Sequence, residues 1–161
     1  MNQRPRTSVL FSTAAFNTSE RRPYFLNDGC YGDDLLRVVA ALLRARGASV
    51  AEAPGQEDFG WYLDFVVAGV GYCLVVGYRP DDAPDAAGPG SGTWIATLER
   101  ARGLVGSLLG LRGAGVGLPA LRLVHEVLSL LPGVSSLRWL REEDLRSGRE
   151  GQVASPTPDA P

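Results

Sequence analysis

At 161 residues the chain is long enough for one domain with a hydrophobic core and too short for two. Its hydrophobic content of 45% excludes a generally disordered chain. Its formal net charge of −2, with no basic stripe, argues against nucleic acid as a partner. All 16 basic residues are arginine, so sites that need a P-loop lysine or a Schiff-base lysine are excluded.

The first predicted elements are a strand and a helix. The apolar stretch 8–16 predicts the strand, and a polar loop through Gly29 follows it. Leucine and valine then recur at helical spacing after Asp33 and Asp34, either of which could cap the positive end of a helix. Gly47 suits the left-handed position after the last turn. The sequence therefore predicts a helix between these points.

A β-hairpin is predicted near the middle of the chain. A short strand over 48–53 precedes it and ends at a Pro-Gly break. Over 61–67, and again over 72–79, alternate residues are aromatic or aliphatic, which is typical of strands. The link between these two segments carries Gly69 and Gly71, which are free to take positive φ. We therefore expect the two segments to pair antiparallel.

The second half of the chain predicts further strands and a second long helix. Its glycine-rich segment, 103–117, has neither the dinucleotide nor the Walker spacing, so we interpret it as structural. The predicted elements are, in order, a surface loop (80–92), a strand (93–100), a short helix (105–111), a long helix (118–131) and a last strand (134–140).

This order of elements predicts an α+β fold. We expect a single antiparallel or mixed β-sheet of about five to six strands, packed on one face by two main helices. Residues 1–145 would form the domain, and the polar tail 146–161 would be disordered. The longest uncharged stretch, 65–78, is too short to span a bilayer. We therefore expect a cytoplasmic protein that does not associate with membranes.

Cysteine and histidine are too few for a familiar metal site. Cys30 and Cys73 are widely separated, and His125 lacks a second histidine where Ser129 stands. We therefore expect no metal site and no cofactor. Cys30 and His125 could act as nucleophile and base only if the fold brought them together. Because His125 falls within an apolar helix, we expect it to be partly buried with one hydrogen bond.

The segment 56–62, Q-E-D-F-G-W-Y, is the most distinctive in the chain because two carboxylates precede aromatic residues. Glu57 and Asp58 precede the first hairpin strand and Arg79 ends the second, so antiparallel pairing would bring Arg79 near Trp61. Such a cluster can bind a polar ligand or a protein partner. The alternatives are a salt bridge that closes the hairpin, or a polar turn before a strand whose aromatic side chains fill the core.

Three segments together resemble a group of small uncharacterised bacterial proteins. They are N-D-G-C-Y-G-D-D-L at 27–35, Q-E-D-F-G-W at 56–61 and G-Y-R-P at 77–80. The likeness covers roughly the first two-thirds of the chain. It implies a bacterial origin, and it assigns no catalytic residue because no activity is known for the group.

The sequence favours a non-enzymatic interaction domain whose partner is another protein or a small polar ligand. One alternative is a carboxylate-dependent enzyme, assisted by Mg²⁺, that draws on Glu57, Asp58, Asp64 and Asp81, because magnesium sites need only one or two carboxylates. Another is a small-ligand pocket between the sheet and the helices. Convergence of the carboxylates in a cleft would favour the enzyme, and their separation over the surface would favour the interaction domain.

Overall fold

The structure, a computed structural model, describes residues 4–82, 92–101, 115–149 and 154–156. These residues contain one sheet of seven strands, in which every pairing is antiparallel, and three helices, two of them long. The strands are β1 (Ser8–Ser12), β2 (Ser49–Val50), β3 (Gly55–Glu57), β4 (Gly60–Val67), β5 (Val70–Arg79), β6 (Thr93–Arg100) and β7 (Ser135–Leu140), and the helices are α1 (Asp33–Ala45), α2 (Leu118–Ser129) and α3 (Glu142–Arg146).

The strand order across the sheet is β2-β4-β5-β6-β1-β7. Strands β3 and β2 both pair with β4 along the same edge. Strand β3 pairs with the first residues of β4, and β2 pairs with its later residues. The predicted α+β class and single sheet are confirmed, and two of the three described helices are long, in line with the two main helices predicted. The sheet has one strand more than the five to six predicted, and the third, short helix was not predicted. The missed strand β3 has three residues and the missed helix α3 has five, and neither length is enough to show a period.

The hairpin of β4 and β5 is confirmed, with Trp61 opposite Val76 at one end of its register. The chain turns at Ala68 and Gly69, whose φ angles are 49° and 76°. Two successive positive φ angles match the right-handed twist of the flanking strands. The sequence also placed Gly71 in the turn, which is wrong because that residue is already paired within β5.

The core lies between one face of the sheet and the two long helices. Alternate residues of each central strand point to this face, as the pleat of a strand requires. Helices α1 and α2 cover them with their apolar stripes, and burying each leucine contributes about 1.5–3 kcal/mol to stability. The largest fully buried side chains of this core are those of Trp94, Trp139, Phe11, Leu35, Leu36, Leu43, Leu63, Leu74, Leu98, Leu121 and Leu128.

Strand β1 ends at Ser12, whereas the sequence predicted a strand that continued to Phe16. The hydroxyl of Thr13 donates a hydrogen bond to the Pro132 carbonyl at 2.6 Å. The Thr13 carbonyl accepts one from Trp94 Nε1 at 3.3 Å. These bonds turn the chain out of the sheet, and Phe16 then packs edge-on against Trp94 in the core.

Helix α1 begins and ends close to its predicted bounds. Asp33 and Asp34 lie in its first turn, where they favour the positive end of the dipole. The sequence predicted that one of them is the N-cap, which is wrong because Gly32, with φ of 139°, occupies that position. Gly47 follows the last turn with φ of 86°, as expected.

Some predictions concern residues that the structure does not describe. The helix over 105–111, most of the loop over 80–92 and most of the tail lie outside the described residues. In the described part of the tail, the Pro156 carbonyl accepts a hydrogen bond from Arg6 N at 3.1 Å, and the Ser155 carbonyl accepts one from Arg6 Nη1 at 3.3 Å. Among the described helices, none has the length and apolar character needed to cross a membrane.

Candidate functional site

The structure places Trp61 in the core and not on the surface. Its side chain is 5% exposed, because the alternation of β4 directs it to the face that the helices cover. Its Nε1 donates a hydrogen bond to the Cys30 carbonyl at 2.9 Å. Its ring packs edge-on against Tyr24 and Phe25, with centroids 6.2 and 5.5 Å away. Trp61 therefore supports the loop that carries these residues, and for this aromatic the core interpretation is correct.

Glu57 and Asp58 lie on the surface, in a tight hairpin between β3 and β4. Glu57 pairs with Gly60, so Asp58 and Phe59 alone form the turn. All three side chains that precede Gly60 are exposed, and Phe59 is 66% exposed. Within the described part of the chain, neither carboxylate forms an ion pair.

Gly60 allows the hairpin to lie close against β5. Its φ is 146°, and a Cβ at this position would lie 2.5 Å from the Val76 carbonyl oxygen. Only glycine fits so close to a neighbouring backbone. The turn that carries Asp58 and Phe59 is therefore held against the sheet.

Arg79 ends β5, where it pairs with Thr93 and is exposed. The register of β4 with β5 brings it to the same end of the sheet as Glu57 and Asp58. Three of the four predicted site residues therefore share this end on the surface, and Trp61 lies beneath. That they bind a ligand or a partner stays a prediction.

Two exposed residues at this end were missed by the sequence analysis. Tyr24 and Leu26 are 49% and 73% exposed, on the loop between β1 and α1. Leu26 N donates a hydrogen bond to Gln56 Oε1 at 3.0 Å, which fastens this loop to β3. The sequence signal for these exposed side chains was the apolar run Tyr-Phe-Leu within a polar loop. Only its middle residue, Phe25, is buried. We call Tyr24, Leu26, Glu57, Asp58 and Phe59 together the hairpin-end surface.

A cavity of about 350 Å³ opens beside Tyr24 at the start of α1. The buried carboxylate of Asp33 accepts a hydrogen bond from the Tyr24 hydroxyl at 2.5 Å and lies 3.6 Å from Arg37 Nη1. The hydrogen bond to Asp33, together with desolvation, raises the pKa of Tyr24. Two carboxylates and two guanidinium groups balance the charge of the cavity, whose lining residues are Asn17, Arg22, Tyr24, Asp33, Asp34 and Arg37.

The four carboxylates of the enzyme alternative do not converge at one site. Asp64 pairs with Cys73 on the sheet face opposite Trp61, four residues along β4 from Gly60. At about 3.3 Å per residue, Asp64 is therefore about 13 Å from the turn between β3 and β4. Asp81 follows β5 and is exposed. Among the described residues, no three His, Cys, Asp or Glu side chains are grouped as metal ligands.

The cysteines and the histidine are also separated. Cys30 lies beside Trp61, whereas His125 Nδ1 accepts a hydrogen bond from Trp139 Nε1 at 3.0 Å. The two tryptophans occupy one row across five strands, so about 19 Å separates them. Burial, and then the Asp64 charge, raises the pKa of Cys73 to about 12, so this thiol is protonated at neutral pH.

The fold and the site define an antiparallel α+β domain with exposed apolar side chains and carboxylates at one end of its sheet. Comparison with protein-family models, with curated proteins and with solved structures finds no match for the chain. Function is therefore inferred from the residues and contacts described above.

Proposed function

We propose that this protein is a non-enzymatic interaction domain that binds another protein through the hairpin-end surface. One observation carries the proposal. Of the six large hydrophobic side chains exposed in the described residues, three belong to this surface: Tyr24, Leu26 and Phe59. Aromatic and aliphatic side chains at the centre of a patch, with charged residues beside them, are typical of protein interfaces.

The surface is also held in shape before any partner arrives. The bond from Leu26 N to Gln56 Oε1 joins its two segments, and the bond from Trp61 Nε1 to the Cys30 carbonyl holds the loop from below. Residues that are already ordered lose less conformational entropy on binding, so more of the contact energy appears as affinity. This rigidity supports a role in recognition.

A small polar ligand in the cavity beside Tyr24 is the second candidate. The buried carboxylate of Asp33 favours it, because a buried charge in a cavity can orient a ligand. Against it, Asp33 is already bonded to Tyr24 and paired with Arg37. The charge of Asp33 is therefore already compensated within the chain, and we favour the protein partner.

We further propose that the protein is bacterial and cytoplasmic, and that it binds neither membranes nor nucleic acid. Exposed carboxylates at the surface would repel phosphate groups, whether these belong to lipids or to nucleic acids. A carboxylate-dependent enzyme remains the alternative in another class. It would require Asp64 to act at a site of its own, away from Glu57 and Asp58.

The proposed function can be tested by comparative affinity purification from cells of the source organism. The tagged wild-type protein, the Phe59→Ser variant and the Leu118→Ser variant would be compared by quantitative mass spectrometry. Leu118 is a matched control because it is also an exposed hydrophobic residue, at 45%, and lies away from the hairpin-end surface. It begins α2 next to Gly117, which lies near Tyr72 at the other end of the sheet.

We expect at least one protein to be enriched by the wild type and by Leu118→Ser but not by Phe59→Ser. Truncating an aromatic residue at the centre of an interface costs about 2 kcal/mol or more, which weakens binding about thirtyfold. Identical sets of captured proteins from all three baits would contradict a binding role for this surface.

A further inference from the structure

We infer that the partner of the hairpin-end surface presents a cationic, arginine-bearing face to Glu57 and Asp58. This inference rests on the proposed function and specifies the chemistry of the partner. Two observations support it. One is the set of charges around the exposed apolar side chains, and the other is the packing of Arg37 over the Tyr24 ring.

Carboxylates on the neighbouring loop already have arginine partners. Asp28 lies 2.9 Å from Arg21, and Glu20 lies 3.4 Å from Arg22. Asp33, at the start of α1, is paired with Arg37. Glu57 and Asp58 are exposed and, among the described residues, form no such pair. They are therefore two adjacent negative charges without an ion-pair partner among the described residues, beside the most exposed aromatic side chain, although Arg79 lies at the same end of the sheet.

This arrangement restricts what can cover the surface. Covering Phe59 would also take its neighbours Glu57 and Asp58 out of water, and a charge removed from water is costly unless an opposite charge meets it. A neutral or acidic face would leave both carboxylates without compensation. A cationic face supplies the missing charge, accelerates association and excludes wrong partners.

Arginine suits this surface better than lysine. A planar guanidinium group can donate hydrogen bonds from its edge to a carboxylate and stack on an aromatic ring at the same time. The chain shows this arrangement in Arg37, which pairs with Asp33 and lies over the Tyr24 ring at 5.8 Å from its centroid. Phe59 beside Glu57 and Asp58 offers the same combination of ring and carboxylate to a partner's arginine.

The inference can be tested with defined probes by NMR titration of the isotope-labelled protein. The probes are a synthetic peptide of alternating arginine and leucine and a matched peptide of glutamate and leucine. The wild type would be compared with a Glu57→Gln/Asp58→Asn double variant. The control is a Glu142→Gln/Glu143→Gln double variant, which neutralises another pair of adjacent exposed carboxylates, at the start of α3.

We expect the arginine peptide to shift amide resonances of 24–28 and 57–60, and the glutamate peptide to shift neither group. Loss of both charges at the hairpin should weaken binding of the arginine peptide about tenfold at low salt. Loss of both charges on α3 should not change it. Equal weakening in the two double variants, or equal binding of the two peptides, would overturn the inference.

The partner captured by affinity purification separates this inference from the proposed function. If Phe59→Ser loses that partner while Glu57→Gln/Asp58→Asn keeps it with unchanged affinity and salt dependence, the cationic face is refuted and the interaction domain stands. If Phe59→Ser keeps the partner, the proposed function itself fails. A second copy of the chain as occupant would appear as self-association in sedimentation, and that result would refute a cationic partner protein.

Discussion

Replacing Trp61 by phenylalanine tests whether the buried indole holds the hairpin-end surface in place. The substitution keeps an aromatic ring against Tyr24 and Phe25 but removes the hydrogen bond from Nε1 to the Cys30 carbonyl. Loss of that bond costs about 1 kcal/mol, and more if the carbonyl finds no other partner. The space left by the smaller ring costs about 1 kcal/mol as well. We therefore expect a loss of about 2–3 kcal/mol in the free energy of unfolding.

The assay is urea unfolding combined with amide NMR spectra, and Trp139→Phe is the matched control. Trp139 is also buried, and its substitution also removes a hydrogen bond, to His125 Nδ1, but it lies in β7 at the far edge of the sheet. Both variants should unfold at lower urea with unchanged m. Only Trp61→Phe should move the resonances of 24–32 and 57–60. An unchanged midpoint for Trp61→Phe, or equal movement of those resonances in both variants, would refute the supporting role.

Three further results are expected. Gly60→Ala should lower the free energy of unfolding by about 2–4 kcal/mol in urea, because its Cβ would meet the Val76 carbonyl at a positive φ, and an unchanged midpoint would contradict this. In a Cys30→Ala variant at pH 8.5, Cys73 should react with iodoacetamide on the order of a thousandfold more slowly when folded than when unfolded, because its folded pKa is about 12; equal rates would show an accessible thiolate. The raised pKa favours the folded state while the thiol is protonated, so stability should fall as the pH rises from 9 towards 12, and Cys73→Ala should reduce that fall relative to wild type in urea melts across this range.

The fold was predictable wherever a segment was long enough to show its period. The alternation over 61–67 and 72–79 predicted the hairpin, and the helical spacing after Asp34 predicted α1. Strand β6 has the predicted bounds, 93–100. Strand β3 could not be predicted from the sequence, because it has only three residues and begins at the glycine of a Pro-Gly pair, which is typical of a break in the chain. Its existence depends on pairing with β4, which is a tertiary contact.

The same reasoning explains which parts of the site were predictable. Alternation already placed Trp61 on a face with Leu63, so the alternative in which the aromatic side chains fill the core could be stated from the sequence, and it is correct for Trp61. The exposure of Phe59 follows from the two-residue turn, which appears only once β3 is known. The position of Leu26 depends on a hydrogen bond to Gln56 across 30 residues of sequence, and no local pattern encodes such a contact. A binding surface built from two loops therefore becomes visible only when tertiary contacts bring its segments together, even though each segment carries its own local signal.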